Sequence, residues 1–344
     1  MILHGRVVEQ TVDTGRRAAF VKELLVTSGR APLSIVRKRS ADPHRAGGTL
    51  GPVLLVHGFA QNRYAWHLPS RSFANALAVA GFDVYNLDLR GHGRSRQLSK
   101  ARATSLDDYI AEDLPRAVEE VQRASGGGQR IFYVGHSLGG LVGYAGAPDL
   151  TGALAGLVSI GSPYHFTRGS KSLQALALLV RGLSVVRMRP HRMPLAVSSL
   201  GSVLRTLRPV AETALYPIVR GWHPGALEPE VLAEHLSLAF DRAIVGELVE
   251  MLEWANERRF GGRATDRADR FEALDLPLLV LAGKHDDLAP PESVKPGFER
   301  SRSPDKTYRT VEAGHIDLLV GREASRGVWS IVTRWLTDRT RTAA

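Results

Sequence analysis

Ser137 stands in Gly135-His-Ser-Leu-Gly139, between the apolar run Ile131-Phe-Tyr-Val134 and a segment compatible with a helix. Glycines two residues before and after a serine suit a sharp strand-to-helix turn. A Cβ at either place would strike neighbouring backbone, and the turn lifts the hydroxyl clear of the sheet. A serine hydroxyl is a weak nucleophile at neutral pH, so it needs a base, and the base needs an acid to orient it. Both types lie downstream. His315, in Ala313-Gly-His-Ile-Asp317, directly follows an expected strand at Thr307–Val311, and Asp286 and Asp287 follow the run Leu278–Ala282 in Gly283-Lys-His-Asp-Asp-Leu-Ala-Pro290. An oxyanion formed at a carbonyl needs two fixed donors. The backbone N–H groups of Phe59, in Val56-His-Gly-Phe-Ala60, and of Leu138 are the candidates. His57 and His136 flank these turns and read as hydrogen-bonded supports rather than reacting groups. Asp88 and Arg90, in Asn86-Leu-Asp-Leu-Arg-Gly-His-Gly-Arg-Ser95, read as a local structural pair.

Such groups must be brought to one end of a sheet. Val53–His57, Ile131–Gly135, Leu157–Gly161 and Leu278–Ala282 are short, nearly all apolar and without polar alternation, the pattern of strands buried on both faces in a parallel sheet covered by helices. Val84–Leu89 adds a fifth strand after a helix over Ser72–Ala80 that stops at Gly81. Leu106, Ile110, Leu114, Val118 and Val121 space an amphipathic helix over Asp107–Ala124, which Gly126-Gly-Gly128 ends. Ala19–Thr27 and Leu33–Arg39 form a hairpin around Gly29 and an antiparallel edge of the same sheet. No element is assigned to Met1–Thr14.

Between Pro163 and about Arg270 the strand signal stops, and prolines 190, 194, 209, 217, 224 and 229 break a helical, turn-rich stretch. The sheet then resumes, and the chain closes with an amphipathic helix through Val328, Ile331, Val332, Trp335 and Leu336. The expected class is therefore α/β, a mostly parallel sheet flanked by helices with an inserted helical cap. Residues 1–162 and 271–344 form the core, and 163–270 form the cap. Leu173, Leu176, Leu179, Val180 and Leu183 share one helical face of the insertion, which also holds Met188, Met193 and Met251. That surface either lines a site for lipid-like acyl groups or packs the cap onto the sheet. Arg181, Arg187, Arg189 and Arg192 read as a solvated cap face.

Composition narrows the chemistry. With 44% hydrophobic and 23% charged residues in 344, the chain is globular rather than disordered, fibrous or membrane-spanning. The absence of cysteine removes disulfides, thiolate metal sites and a cysteine nucleophile. The net charge of +10 is scattered, with Arg37-Lys38-Arg39 the longest basic run, so an arginine-biased surface is expected and nucleic acid is not. Met1–Thr14 has no apolar stretch, so a cytoplasmic location without a secretory signal is expected. Leu173–Val180, the most apolar segment, is too short for a bilayer core of about 30 Å.

In this order the motifs resemble those of the α/β-hydrolase superfamily, over about Ala18–Pro163 and Leu276–Asp338. Val56-His-Gly-Phe59 matches its oxyanion loop, Gly135–Gly139 its nucleophile elbow, Gly283–Asp286 its acid loop and Gly314-His315 its base loop. The offset from Gly283 selects Asp286, leaving Asp287 as a turn or cap residue. Gly314-His-Ile-Asp-Leu-Leu-Val-Gly-Arg322, with Val328-Trp329 and Trp335-Leu336, further resembles bacterial lipases and polyhydroxyalkanoate synthase or depolymerase relatives. Synthases of that group use cysteine at the elbow, so Ser137 implies hydrolysis rather than polymer synthesis. Haloalkane dehalogenases and epoxide hydrolases carry aspartate there, which this chain lacks. The resemblance implies a serine esterase or lipase acting on a small-molecule or lipid-like ester. Ser137 attacks, His315 takes its proton, Asp286 holds the imidazolium and water deacylates the enzyme, with no metal or organic cofactor required. Acyl transfer through the same intermediate and a non-catalytic binding module are the alternatives, and the intact Ser137, Asp286 and His315 set argues against the second.

Overall fold

The structure, a computed structural model, describes residues 2–42, 50–170, 173–174, 178, 194–195 and 221–341. The apolar runs divide their side chains between two cores. Val53 and Leu55 join one cluster and Leu54 and Val56 the other, and Phe132 and Val134 are likewise separated from Ile131 and Tyr133. A strand with period-two side chains and apolar groups at every position must be covered on both faces. The strands are β1 (Ile2–Asp13), β2 (Arg16–Val26), β3 (Ser34–Ser40), β4 (Pro52–Val56), β5 (Asp83–Asp88), β6 (Ile131–His136), β7 (Leu154–Ile160), β8 (Leu278–Gly283) and β9 (Lys306–Val311). They form one nine-stranded sheet in the order β1-β2-β3-β5-β4-β6-β7-β8-β9. From β5 to β9 all pairings are parallel, and β1, β2 and β3 add an antiparallel edge.

The order reverses between β4 and β6, because the chain leaves β4 for β5 on one side and returns to β6 on the other. Ligand sites of open α/β sheets lie beyond the strand C-termini at such a switch point. The loop after β4 begins at His57, and the turn after β6 holds Ser137.

Helix α1 (Phe73–Ala80) begins at Ser72, whose Oγ accepts from the Asn75 amide, and ends at Gly81 with φ 107°. Helices α2 (Leu114–Ala124) and α3 (Leu138–Gly146) pack on the opposite face from α1. The expected helix over Asp107–Ala124 opens with a π turn at Asp108–Asp113, in which the Leu114 amide reaches the Tyr109 carbonyl. Pro115 has no N–H to offer Ala111, so the α-helical ladder is broken there. Between β7 and β8 the described residues include α4 (Pro229–Leu238), α5 (Val245–Glu257) and α6 (Arg267–Glu272). Val231, Leu232 and Leu236 of α4 join the core on the α1 side, whereas Met251, Leu252's neighbour, and Trp254 of α5 join the other. This insertion therefore spans both cores. Helices α7 (Pro291–Arg300) and α8 (Ser330–Arg341) complete the cover.

Strand β1 has no counterpart in the sequence reading. It pairs with β2 from Ile2–Leu25 to Asp13–Arg16, through a turn at Gly15 with φ 71°. Ile2, Leu3 and Val7 stay exposed, and contact with the core comes from Val8 and Val12 late in the strand, so the segment lacks the sustained alternation by which a strand is recognised. The basic run Arg37-Lys38-Arg39 is not a surface patch either. Arg37 pairs with Asp83 and Glu23, while buried Lys38 donates through Nζ to Asn75 Oδ1 at 2.7 Å. Met251 is buried in the core, and Leu173 is half-buried. Leu176, Leu179, Val180, Leu183, Met188, Met193 and Arg181, Arg187, Arg189 and Arg192 lie outside the described residues. Among the described residues no helix is long and apolar enough to cross a membrane.

Candidate active site

Ser137 occupies the turn between β6 and α3 with φ 52° and ψ −118°, a backbone conformation costing roughly 1–3 kcal/mol for a residue with a side chain. The surroundings hold it there. Its N–H donates to the Ile160 carbonyl at 3.0 Å. A Cβ on Gly135 would fall on the Gly139 carbonyl, and one on Gly139 would fall on the carbonyl oxygens of Val56 and His57. The Tyr133 hydroxyl donates to the Gly139 carbonyl from within the core. Ser137 is half-exposed among buried neighbours, so its side chain is the accessible group of the turn.

The structure brings Asp286 to His315, with Asp286 Oδ2 at 2.7 Å from His315 Nδ1. The other oxygen, Oδ1, accepts from the amides of Leu288 (2.9 Å) and Ala289 (2.7 Å), which fixes the carboxylate plane. Asp287 is half-buried and does not take that place. His136, the residue before Ser137, packs its ring against that of His315 with centroids 4.6 Å apart and the planes tilted by 43°, and makes a 3.2 Å Nε2 contact to the His315 carbonyl. A Cβ on Gly161, at the end of β7, would lie 3.3 Å from Asp286 Oδ2 and 3.5 Å from His315 Nδ1. The ends of β6, β7 and β8 thus converge with the loop after β9.

Sequence reasoning missed the group that anchors the loop carrying His315. Asp317 Oδ2 accepts from the amides of Gly314 (2.8 Å) and His223 (2.7 Å). Burial pushes its pKa up to about 6, against the lowering effect of those two hydrogen bonds. His223 precedes α4, so this carboxyl ties the insertion to the loop carrying His315.

The loop that carries Phe59 follows β4. His57 is fully buried, and desolvation lowers its pKa, so the ring is neutral. Its Nε2 accepts from the Leu89 amide at 3.1 Å; the proton is therefore on Nδ1, which donates to the Gly58 carbonyl at 2.9 Å. Among the described residues neither the Phe59 nor the Leu138 amide has a hydrogen-bond acceptor. Two backbone donors without partners at a sheet switch point suit a developing negative charge. Gln61 and His235 stand behind this loop; neither figured in the sequence reading. Gln61 carried a weak local signal, three residues beyond Gly58. His235 carried none, since it is far away in sequence on a helix of ordinary apolar spacing.

Asp88 and Arg90 are not paired with each other. The chain turns after β5 and sends them apart, Asp88 to Arg63 at 2.7 Å and Arg90 to Asp113 at 2.7 Å. Asp88 also accepts from the Arg63 and Arg94 amides, and a Cβ on Gly93 would land on its carboxylate. The turn Asp88–Ser95 is therefore built around one buried carboxylate.

Known proteins resemble this arrangement in sequence and fold. Poly(3-hydroxyalkanoate) polymerase subunits are 27% identical over 98% of this chain in Haloferax mediterranei and 26% over 84% in Haloarcula marismortui; the matches span 70% and 61% of those relatives. Among solved structures, a soluble variant of monoglyceride lipase from Saccharomyces cerevisiae superposes with a TM-score of 0.62 at 16% identity, covering 96% of this chain and 98% of that one. A thermophilic esterase from Thermogutta terrifontis gives 0.58 at 21%, covering 97% and 99%. The profile of the α/β-hydrolase fold matches residues 51–322, from the start of β4 past the His315 loop. With the switch-point sheet and the strained serine turn in place, the chain belongs to the α/β-hydrolase fold family.

Proposed function

We propose that the protein is a serine hydrolase of carboxylic esters, working through an acyl-enzyme on Ser137. The observation that carries this reading is the 2.7 Å contact between His315 Nδ1 and Asp286 Oδ2, together with the positive φ of Ser137, whose neighbour His136 packs its ring against His315. With Nδ1 committed to the carboxylate, His315 presents Nε2 as the base for the Ser137 proton. Asp286 then stabilises the imidazolium. Ser137 Oγ bonds to the acyl carbon, and the carbonyl oxygen gains negative charge against the Phe59 and Leu138 amides. The tetrahedral adduct collapses as His315 protonates the leaving alcohol; water repeats the sequence and releases the acid.

Acyl transfer to another alcohol is the second reading, supported by a match of nearly all of this chain to 70% of a polymerase subunit. Its acyl-enzyme is the same, and only the acceptor differs. Hydrolysis of p-nitrophenyl esters from acetate to palmitate, by the native chain and Ser137→Ala, tests the first reading. Activity that disappears in the variant is the expected result, and the chain-length optimum identifies the acyl group. A native chain that is folded and inert to the whole series would overturn the proposal.

A further inference from the structure

Gly58 is hydrogen-bonded at both of its backbone groups. Its carbonyl accepts from His57 Nδ1 at 2.9 Å and from the Gln61 amide at 3.3 Å, and its N–H donates to Gln61 Oε1 at 3.2 Å. A peptide unit is planar and its C=O and N–H point in opposite directions, so pinning the Gly58 carbonyl aims the Phe59 N–H.

The orientation of the Gln61 amide follows from its neighbours. The Gly58 N–H can only donate, so Oε1 faces it; Nε2 therefore faces His235 Nε2, 3.3 Å away, with a proton to give. His235 must offer a lone pair. Complete burial ensures this by pushing its pKa down to about 3, so the ring is neutral and its proton sits on Nδ1. That Nδ1 has no partner among the described residues. An apolar side chain would pack α4 without burying an unpaired N–H, so packing alone does not account for a histidine here. The backbone adds to the connection. Asn62 N–H donates to the Ala239 carbonyl at 3.0 Å and Asp241 N–H to the Ala60 carbonyl at 2.8 Å, on either side of a bridge between Gln61 and Phe240.

We infer that Gln61 and His235 are positioning residues that aim the Phe59 amide at the oxyanion, so that helix α4 of the insertion completes the oxyanion site. The inference rests on the serine-hydrolase reading above. It makes the seating of α4 a condition for turnover rather than for substrate binding alone.

The test compares Gln61→Leu, His235→Phe, which keeps the ring bulk and removes the acceptor, and His235→Gln, which returns an acceptor oxygen near the position of Nε2. Steady-state kinetics with p-nitrophenyl butyrate are paired with inhibition by a trifluoromethyl ketone, which forms a tetrahedral adduct on a serine. Misaiming one donor should cost less than deleting it, so Gln61→Leu and His235→Phe should lose about 10–100-fold in kcat with KM within about twofold. Affinity for the ketone should weaken in step, and His235→Gln should recover most of both. A structural role alone would move the melting temperature without this kcat and inhibitor pattern. Native kcat and inhibition in Gln61→Leu, or a His235→Gln as impaired as His235→Phe, would overturn the inference. Should Gln61→Leu not fold, the two His235 variants give the same decision. Fluorophosphonate labelling of Ser137 separates the two failures. If Ser137 labels while these variants behave as native, only the positioning role is lost; if Ser137 does not label, the serine reading is lost with it.

Discussion

The turn carrying Ser137 and the loop carrying Phe59 sit side by side at the C-terminal ends of β6 and β4, yet they are held by different means. The turn is fixed from within the core, by backbone packed against backbone and by the Tyr133 hydroxyl on the Gly139 carbonyl. Gly135 and Gly139 allow contact with their neighbours so close that no side chain fits, and among the described residues nothing from the insertion takes part in those contacts. The loop is fixed by side chains, His57 from within and Gln61 braced against His235 from α4. One half of the site is thus a property of the core sheet. The other half depends on a helix inserted between β7 and β8.

The largest effect on turnover is expected away from both, at the acid. Asp286→Asn should lower kcat by about 10⁴-fold, the loss seen when a triad aspartate becomes the amide, while Asp287→Asn stays within about twofold. Steady-state assays of the pair decide the assignment; equal impairment would move the acid role. Two alanine substitutions then set the turn against the loop. In Gly139→Ala the new Cβ meets carbonyl oxygens that cannot yield, and a loss of about 3 kcal/mol in stability is expected from denaturant unfolding. In Gly58→Ala the Cβ lies 2.8 Å from Gln61 Oε1, the end of a side chain, with Ser137 Cβ at 3.1 Å and His136 Nδ1 at 3.3 Å, none of them a backbone carbonyl. That variant should fold with a smaller stability loss and about a 10-fold lower kcat. A Gly58→Ala protein as unstable as Gly139→Ala would erase the distinction.

The smallest effect is a pH slope. A carboxyl held at about 6 in the folded chain, as Asp317 is, and near 3.8 when unfolded binds an extra proton in the folded state. Its stabilising contribution is complete below about pH 4 and is lost as the pH rises towards 6, by up to about 1.4 kcal/mol per pH unit. In Asp317→Asn an oxygen still accepts from Gly314 and His223 without carrying charge, so that component of the slope should vanish. Unfolding free energies between pH 4 and pH 7 measure it, and identical slopes in the two proteins would contradict the cause given.

What could be read from the sequence follows the same division. The β4, β6, β7 and β8 runs, the glycines around Ser137, and the loops holding Asp286 and His315 are local patterns, each enforced by contacts within a few residues or by burial on two faces. Strand β1 escaped notice because Ile2, Leu3 and Val7 are exposed and its core contacts, Val8 and Val12, come only near its end. The pairing of Asp88 with Arg63 escaped because a turn, not proximity in sequence, chooses the partner. His235 meets Gln61, and Asp317 meets His223, across long stretches of chain, through hydrogen bonds that impose no periodicity on the residues around them.

The central claim is that Ser137 is the nucleophile activated by His315. Intact-mass and peptide mapping after reaction with a fluorophosphonate test it most directly, using the native chain, Ser137→Ala and His315→Ala. The account predicts a single adduct on Ser137, none on that site in Ser137→Ala, and labelling slowed by orders of magnitude in His315→Ala. An adduct on another residue, or labelling of Ser137 at the native rate without His315, would contradict it.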